Sequence, residues 1–78
     1  MSFKHLIATV AEALVDDPDA VEVDEIDEDR AVVVELRVAP EDIGKVIGKE
    51  GRTAQSMRAL LNAAAAKQGC RANLEILD

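Results

Sequence analysis

The feature that most narrows the fold is a pair of glycines, Gly48 and Gly51, with two polar residues between them, interrupting an otherwise continuous helical pattern. Ile43, Val46 and Ile47 form an apolar stripe before them, and Ala54, Met57, Leu60, Leu61 and Ala64 form another after them. A glycine inside a helix costs about 0.5–1 kcal/mol relative to alanine, so two at this spacing divide the segment into a short helix and a long one. Pro40 suits the first turn of the short helix, and Glu41 and Asp42 are well placed for its dipole. The long helix is predicted from Arg52 to about Gln68, with Gly69 as its stop signal.

The flanking segments follow two different periods. Phe3, Leu6, Ile7, Val10 and Leu14 recur at helical spacing behind a Ser2 N-cap, predicting a helix over about 3–16 that Asp16-Asp17-Pro18-Asp19 ends. Val21 and Val23 alternate with Glu22 and Asp24, while Ile26 falls out of phase, which predicts a short strand with a bulge or frayed end. After a polar turn at 27–30, Val32, Val34, Leu36 and Val38 mark one face of a second strand, and Ala72, Leu74 and Ile76 mark a third. The order αββααβ accounts for all 78 residues as one domain. The first two strands should pair as an antiparallel hairpin, and the helical crossover should return the third parallel to the second. The expected fold class is therefore α+β, a three-stranded mixed sheet with three helices on one face.

Composition removes several function classes. Phe3 is the only aromatic residue, so no ring platform of the RRM or OB-fold kind exists on which bases could stack. A single cysteine, Cys70, and a single histidine, His5, supply no zinc ligand set and no nucleophile–base pair, so neither a cofactor nor catalysis is expected. The acidic run Asp24, Glu25, Asp27, Glu28 and Asp29 lacks the order and glycine of an EF-hand and reads as a solvated surface. A Walker loop needs four residues between its glycines and Ser or Thr after the lysine; Gly44 to Gly48 encloses three, and Glu50 follows Lys49. No apolar run approaches the roughly 20 residues of a membrane span and no signal peptide is visible, so the expected compartment is the cytosol.

Charge is divided along the chain. The net charge is −7, yet residues 43–71 carry Lys45, Lys49, Arg52, Arg58, Lys67 and Arg71 against Glu50 alone. That segment contains the glycine pair. A Gly-x-x-Gly turn exposes backbone N–H groups, the helix beginning near Arg52 adds its positive dipole end, and Lys49 and Arg52 add mobile charge, which together make an anion cradle opposed by Glu50. Taken alone, the two glycines are better explained as a plain helix–helix turn.

Context changes that reading. The run Val46-Ile47-Gly48-Lys49-Glu50-Gly51-Arg52-Thr53 resembles the signature of KH domains, and αββααβ is their type-II order. Gly44 through Arg58, with the alanines that follow, is similar to the small stand-alone bacterial KH proteins of the KhpA family. The resemblance implies a non-enzymatic binder of single-stranded RNA, acting as an RNA chaperone or post-transcriptional regulator. In KH domains the glycine loop clamps the backbone of about four nucleotides while the bases lie in an aliphatic groove. Carried over, Gly48, Lys49, Glu50 and Gly51 would clamp, Ile43, Ile47, Ala54 and the strand near Val38 would line the groove, and Lys45, Arg52, Thr53, Gln55 and Arg58 would complete the interface. The alternative it implies is an adaptor that forms a homodimer or docks a larger, Jag-type KH protein. The apolar stretch from Ala59 to Ala66, between Arg58 and Lys67, offers the surface for such pairing.

Overall fold

The computed structural model describes residues 2–77. Helix α1 spans Phe3–Leu14, strands β1 and β2 span Glu22–Glu28 and Ala31–Arg37, helices α2 and α3 span Ile43–Ile47 and Arg52–Lys67, and strand β3 spans Arg71–Leu77. Short 3₁₀ turns at Pro18–Ala20, Pro40–Asp42 and Lys49–Gly51 join them. The sheet order is β1-β2-β3, with β1 antiparallel and β3 parallel to β2, as the sequence pattern predicts.

Register explains why the helices share one face. Val23 lies opposite Leu36, Val32 opposite Ala72 and Val34 opposite Leu74, so the buried residues of all three strands fall on the same side of the pleat. Against that side pack Phe3, Ile7 and Ala11 of α1, Val46 of α2, and Met57, Leu61 and Ala65 of α3. Fully burying a residue the size of Ile7, Leu36, Met57 or Leu61 contributes roughly 1.5–3 kcal/mol, and these are among the largest side chains with no exposure.

Several sequence expectations are corrected here. Helix α1 ends at Leu14, which is exposed, and Val15 takes the buried place at its C-cap. Strand β1 carries no bulge: its register with β2 runs unbroken, and Ile26, 43% exposed, sits opposite Val33 on the face the helices leave open. Leu60 points outward at 52% exposure, and Ala65 fills the inward position instead, because 54, 57, 61 and 65 follow the helical period.

The ends of the helices are held by local chemistry. The Ser2 hydroxyl accepts from the His5 N–H at 3.0 Å at the start of α1. At the end of α3, Gly69 adopts φ +75, its N–H reaches the Ala66 carbonyl, and the Cys70 N–H reaches the Ala65 carbonyl. This is the Schellman arrangement that the glycine signals. Cys70 itself is half-buried against the core.

Candidate nucleic-acid interface

Helix α2 is only five residues long, too short to persist by its own hydrogen bonds, and is held by its packing. Val46 is fully buried, Ile43 is half-buried, and Ile47, at the end that meets the loop, is 39% exposed. Gly44 lies in open space, where a Cβ would meet nothing within 4 Å.

The two loop glycines perform different tasks. Gly48 has φ +78, and a Cβ added to it would overlap the Thr53 hydroxyl and lie 2.9 Å from the Thr53 amide nitrogen. Thr53 therefore occupies the space that a side chain at 48 would need. Gly51 has φ +75 with nothing within 4 Å of an added Cβ, so its requirement is conformational and the space beside it is open. Glu50 between them is also left-handed, at φ 58 and ψ 24, a conformation that non-glycine residues rarely adopt.

Part of the cradle's donor set is already used. The Gly48 N–H donates to the Gly44 carbonyl at 2.9 Å, Gly51 to Gly48 at 3.1 Å, and Arg52 to Lys49. These bonds fix the turn and leave fewer backbone donors than the spacing alone implies. Among side chains, Lys49 is exposed, whereas the Arg52 guanidinium sits 3.3 Å from the Glu50 carboxylate on the surface.

Lys45 is turned elsewhere. Its ammonium lies 3.2 Å from Asp16 and 3.4 Å from Asp42, and hydrogen bonding to those carboxylates, Asp16 first, holds its pKa above the ordinary lysine value. Asp42 is the one charged residue in the core, 2% exposed, among the described residues. Burial alone would push its carboxyl up, but the backbone N–H groups of Asp17 and Asp16 and the Lys45 ammonium outweigh that and hold it below its ordinary value. Sequence reasoning assigned Asp42 to the helix dipole and missed this role, because its backbone donor, Asp17, lies 25 residues earlier.

The remaining expected residues divide by exposure. Ala54 and Val38 are buried, so Ile47 and part of Ile43 supply the apolar surface next to the loop. Gln55 is exposed on α3, and Arg58 reaches across to the Leu74 carbonyl on the edge strand β3 at 3.5 Å. Loop, exposed Ile47, and the α3 flank facing the β3 edge form one continuous run along the chain.

The family model for the KH domain of KhpA and KhpB matches residues 4–76. The chain belongs to that family. An RNA-binding protein KhpA from Caldanaerobacter subterraneus is 57% identical over 73 residues, covering 94% of this chain and 97% of the relative. The RNA-binding protein KhpA of Aquifex aeolicus is 47% identical over 77 residues, covering 99% and 98%. Among solved structures, a variant of Aquifex aeolicus Era bound to GDP and aluminium fluoride superposes with a TM-score of 0.64 at 17% identity. It covers 95% of this chain and 29% of the Era chain, a likeness of fold alone. The KhpA/KhpB assignment and the observed αββααβ order agree on a type-II KH domain.

Proposed function

We propose that this KH domain binds single-stranded RNA without catalysis, clamping the sugar–phosphate backbone at Gly48–Gly51 and lodging bases beside Ile47 along the α3 flank. The observation that carries the reading is the run of left-handed residues at 50–51, which presents bare backbone and open space at the N-terminus of a 16-residue helix. An exposed Lys49 and the helix dipole favour phosphate there. The KhpA relatives are named RNA-binding proteins, which supports the same ligand; a role as RNA chaperone or post-transcriptional regulator would follow from such binding. Replacing Lys49 and Glu50 together by aspartate keeps both glycines and adds only repulsion toward phosphate. The double variant should fold as the parent does and lose RNA binding in a filter or anisotropy assay; retained affinity in a folded variant contradicts the loop assignment.

A second reading concerns protein pairing. Leu60 is exposed on the flank of α3, beside Ala59, Ala63 and Ala66, which are exposed on the side away from its buried stripe. Small side chains around one large apolar one let a partner helix approach closely, in a second copy or in a larger KH protein such as KhpB. Pairing there leaves the glycine loop free.

A further inference from the structure

We propose that Asp42 is a positioning residue for the Gly48–Gly51 loop, fixing α2 by stapling its first turn to the chain that leaves α1. The inference rests on the RNA-binding reading for its functional consequence, though not for its structural one.

The starting point is a mismatch between demand and means. The loop must hold three left-handed residues in one arrangement, and its first anchor is the bond from the Gly48 N–H to the Gly44 carbonyl, which belongs to α2. A five-residue helix with one fully buried side chain cannot by itself fix where that carbonyl lies. Asp42 supplies the missing constraint. One carboxylate oxygen accepts from the Asp17 N–H at 3.1 Å, and the other faces Lys45 Nζ at 3.4 Å, one turn along the same segment. Lys45 also reaches Asp16 at 3.2 Å, so two contacts at large sequence separation tie residues 42–45 to residues 16–17.

Burial turns these contacts into a constraint. A carboxylate removed from water must keep its hydrogen bonds, since leaving one unmade costs far more than an exposed pair would. Among the described residues no buried side-chain nitrogen or oxygen lacks a partner, so Asp42 is satisfied in this one placement of α2. A shift of α2 would strand the carboxylate. The loop inherits that rigidity through Gly44, and a pre-ordered loop binds phosphate without first losing conformational entropy.

The test exploits the sign of an electrostatic effect. Asp42→Asn keeps the shape and removes one negative charge, so simple electrostatics would strengthen binding to a polyanion. Loss of positioning weakens it. The probe is a fluorescein-labelled, mixed-sequence single-stranded RNA of about 12 nucleotides, long enough to span a KH groove. Its Kd is read by anisotropy, and the amide signals of Gly48 and Gly51 are read by NMR without RNA. Expected are an affinity loss of about fivefold or more, the lower end of typical site-to-site coupling, and shifted or broadened Gly48 and Gly51 amides while core methyl signals stay in place. Unchanged or tighter binding with unchanged loop amides overturns the proposal. Should the parent itself not bind the probe, the RNA reading fails, and the loop amides alone decide: altered in Asp42→Asn they sustain the staple, unaltered they overturn it. Should Asp42→Asn not fold, Lys45→Met takes its place under the same amide criterion.

Discussion

Thr53 stands where a side chain on Gly48 would have to go. Gly51, three residues later, also has a positive φ but a ψ of 13 where Gly48 has 173, and it has no neighbour to clash with. The two glycines should therefore respond differently to alanine. Gly51→Ala should cost about 1–2 kcal/mol, the usual penalty for a left-handed L-residue. Gly48→Ala should cost more, since the Thr53 backbone must also move. Urea denaturation followed by circular dichroism compares them; equal losses would mean that Thr53 does not define the turn.

Glu50 should act as a built-in competitor for phosphate. Its carboxylate lies 3.3 Å from Arg52, the cation nearest the α3 N-terminus. The pair is exposed, so breaking it should leave stability nearly unchanged. Glu50→Gln removes the competitor and one negative charge, and RNA affinity should rise several-fold. The log–log salt slope should steepen from about −1 toward −2, at about −0.7 per single-strand phosphate contact. Weaker binding by Glu50→Gln would mean that the carboxylate contributes to recognition.

The fold was legible because both periods are clean. Val32, Val34 and Leu36 alternate, and Ala54, Met57 and Leu61 recur at helical spacing, so residue type alone assigns β2 and α3. The errors share one cause, the assumption that a large aliphatic residue points inward. A single-layer sheet leaves its far face to water, which places Ile26 outside without any bulge. Leu60 lies about 100° around the helix from Leu61, so both cannot face the core. The loop glycines were legible from spacing, but their separate tasks were not, because the Thr53 contact depends on backbone angles. Asp42 was hidden for a different reason: its burial arises from a tertiary contact that no local pattern encodes.

Acid should weaken the fold through Asp42. Its folded-state pKa is depressed, so it contributes stability at neutral pH that is lost as pH falls below the ordinary value of 3.8 and through the folded value. Lys45 is raised, so its share is complete below its ordinary 10.5 and is lost as pH rises through the still higher folded value. Thermal midpoints of the parent should drop at both extremes. In Asp42→Asn the Asp42 contribution to the acid drop should vanish; an identical acid profile would show that other carboxylates dominate.

Pairing through α3 should depend on Leu60. Leu60→Glu puts a charge in place of the one large exposed apolar side chain of that surface, which is 52% exposed. If the chain sediments as a dimer at micromolar concentration, this variant should sediment as a monomer with unchanged helicity. A parent that is monomeric, or a dimer that survives the change, rules out that interface for a homodimer.

The glycine loop and its apolar neighbour Ile47 are the proposed RNA site. Titration of the labelled-amide protein with single-stranded RNA tests it most directly, because NMR shift changes locate the contact residue by residue. The largest changes should fall on Ile47 through Thr53 and continue along the α3 flank to Arg58, with duplex RNA of equal length producing weaker ones. Changes centred on the open sheet face around Ile26 and Val33, or on Leu60, with a silent Gly48–Gly51 loop, would contradict it.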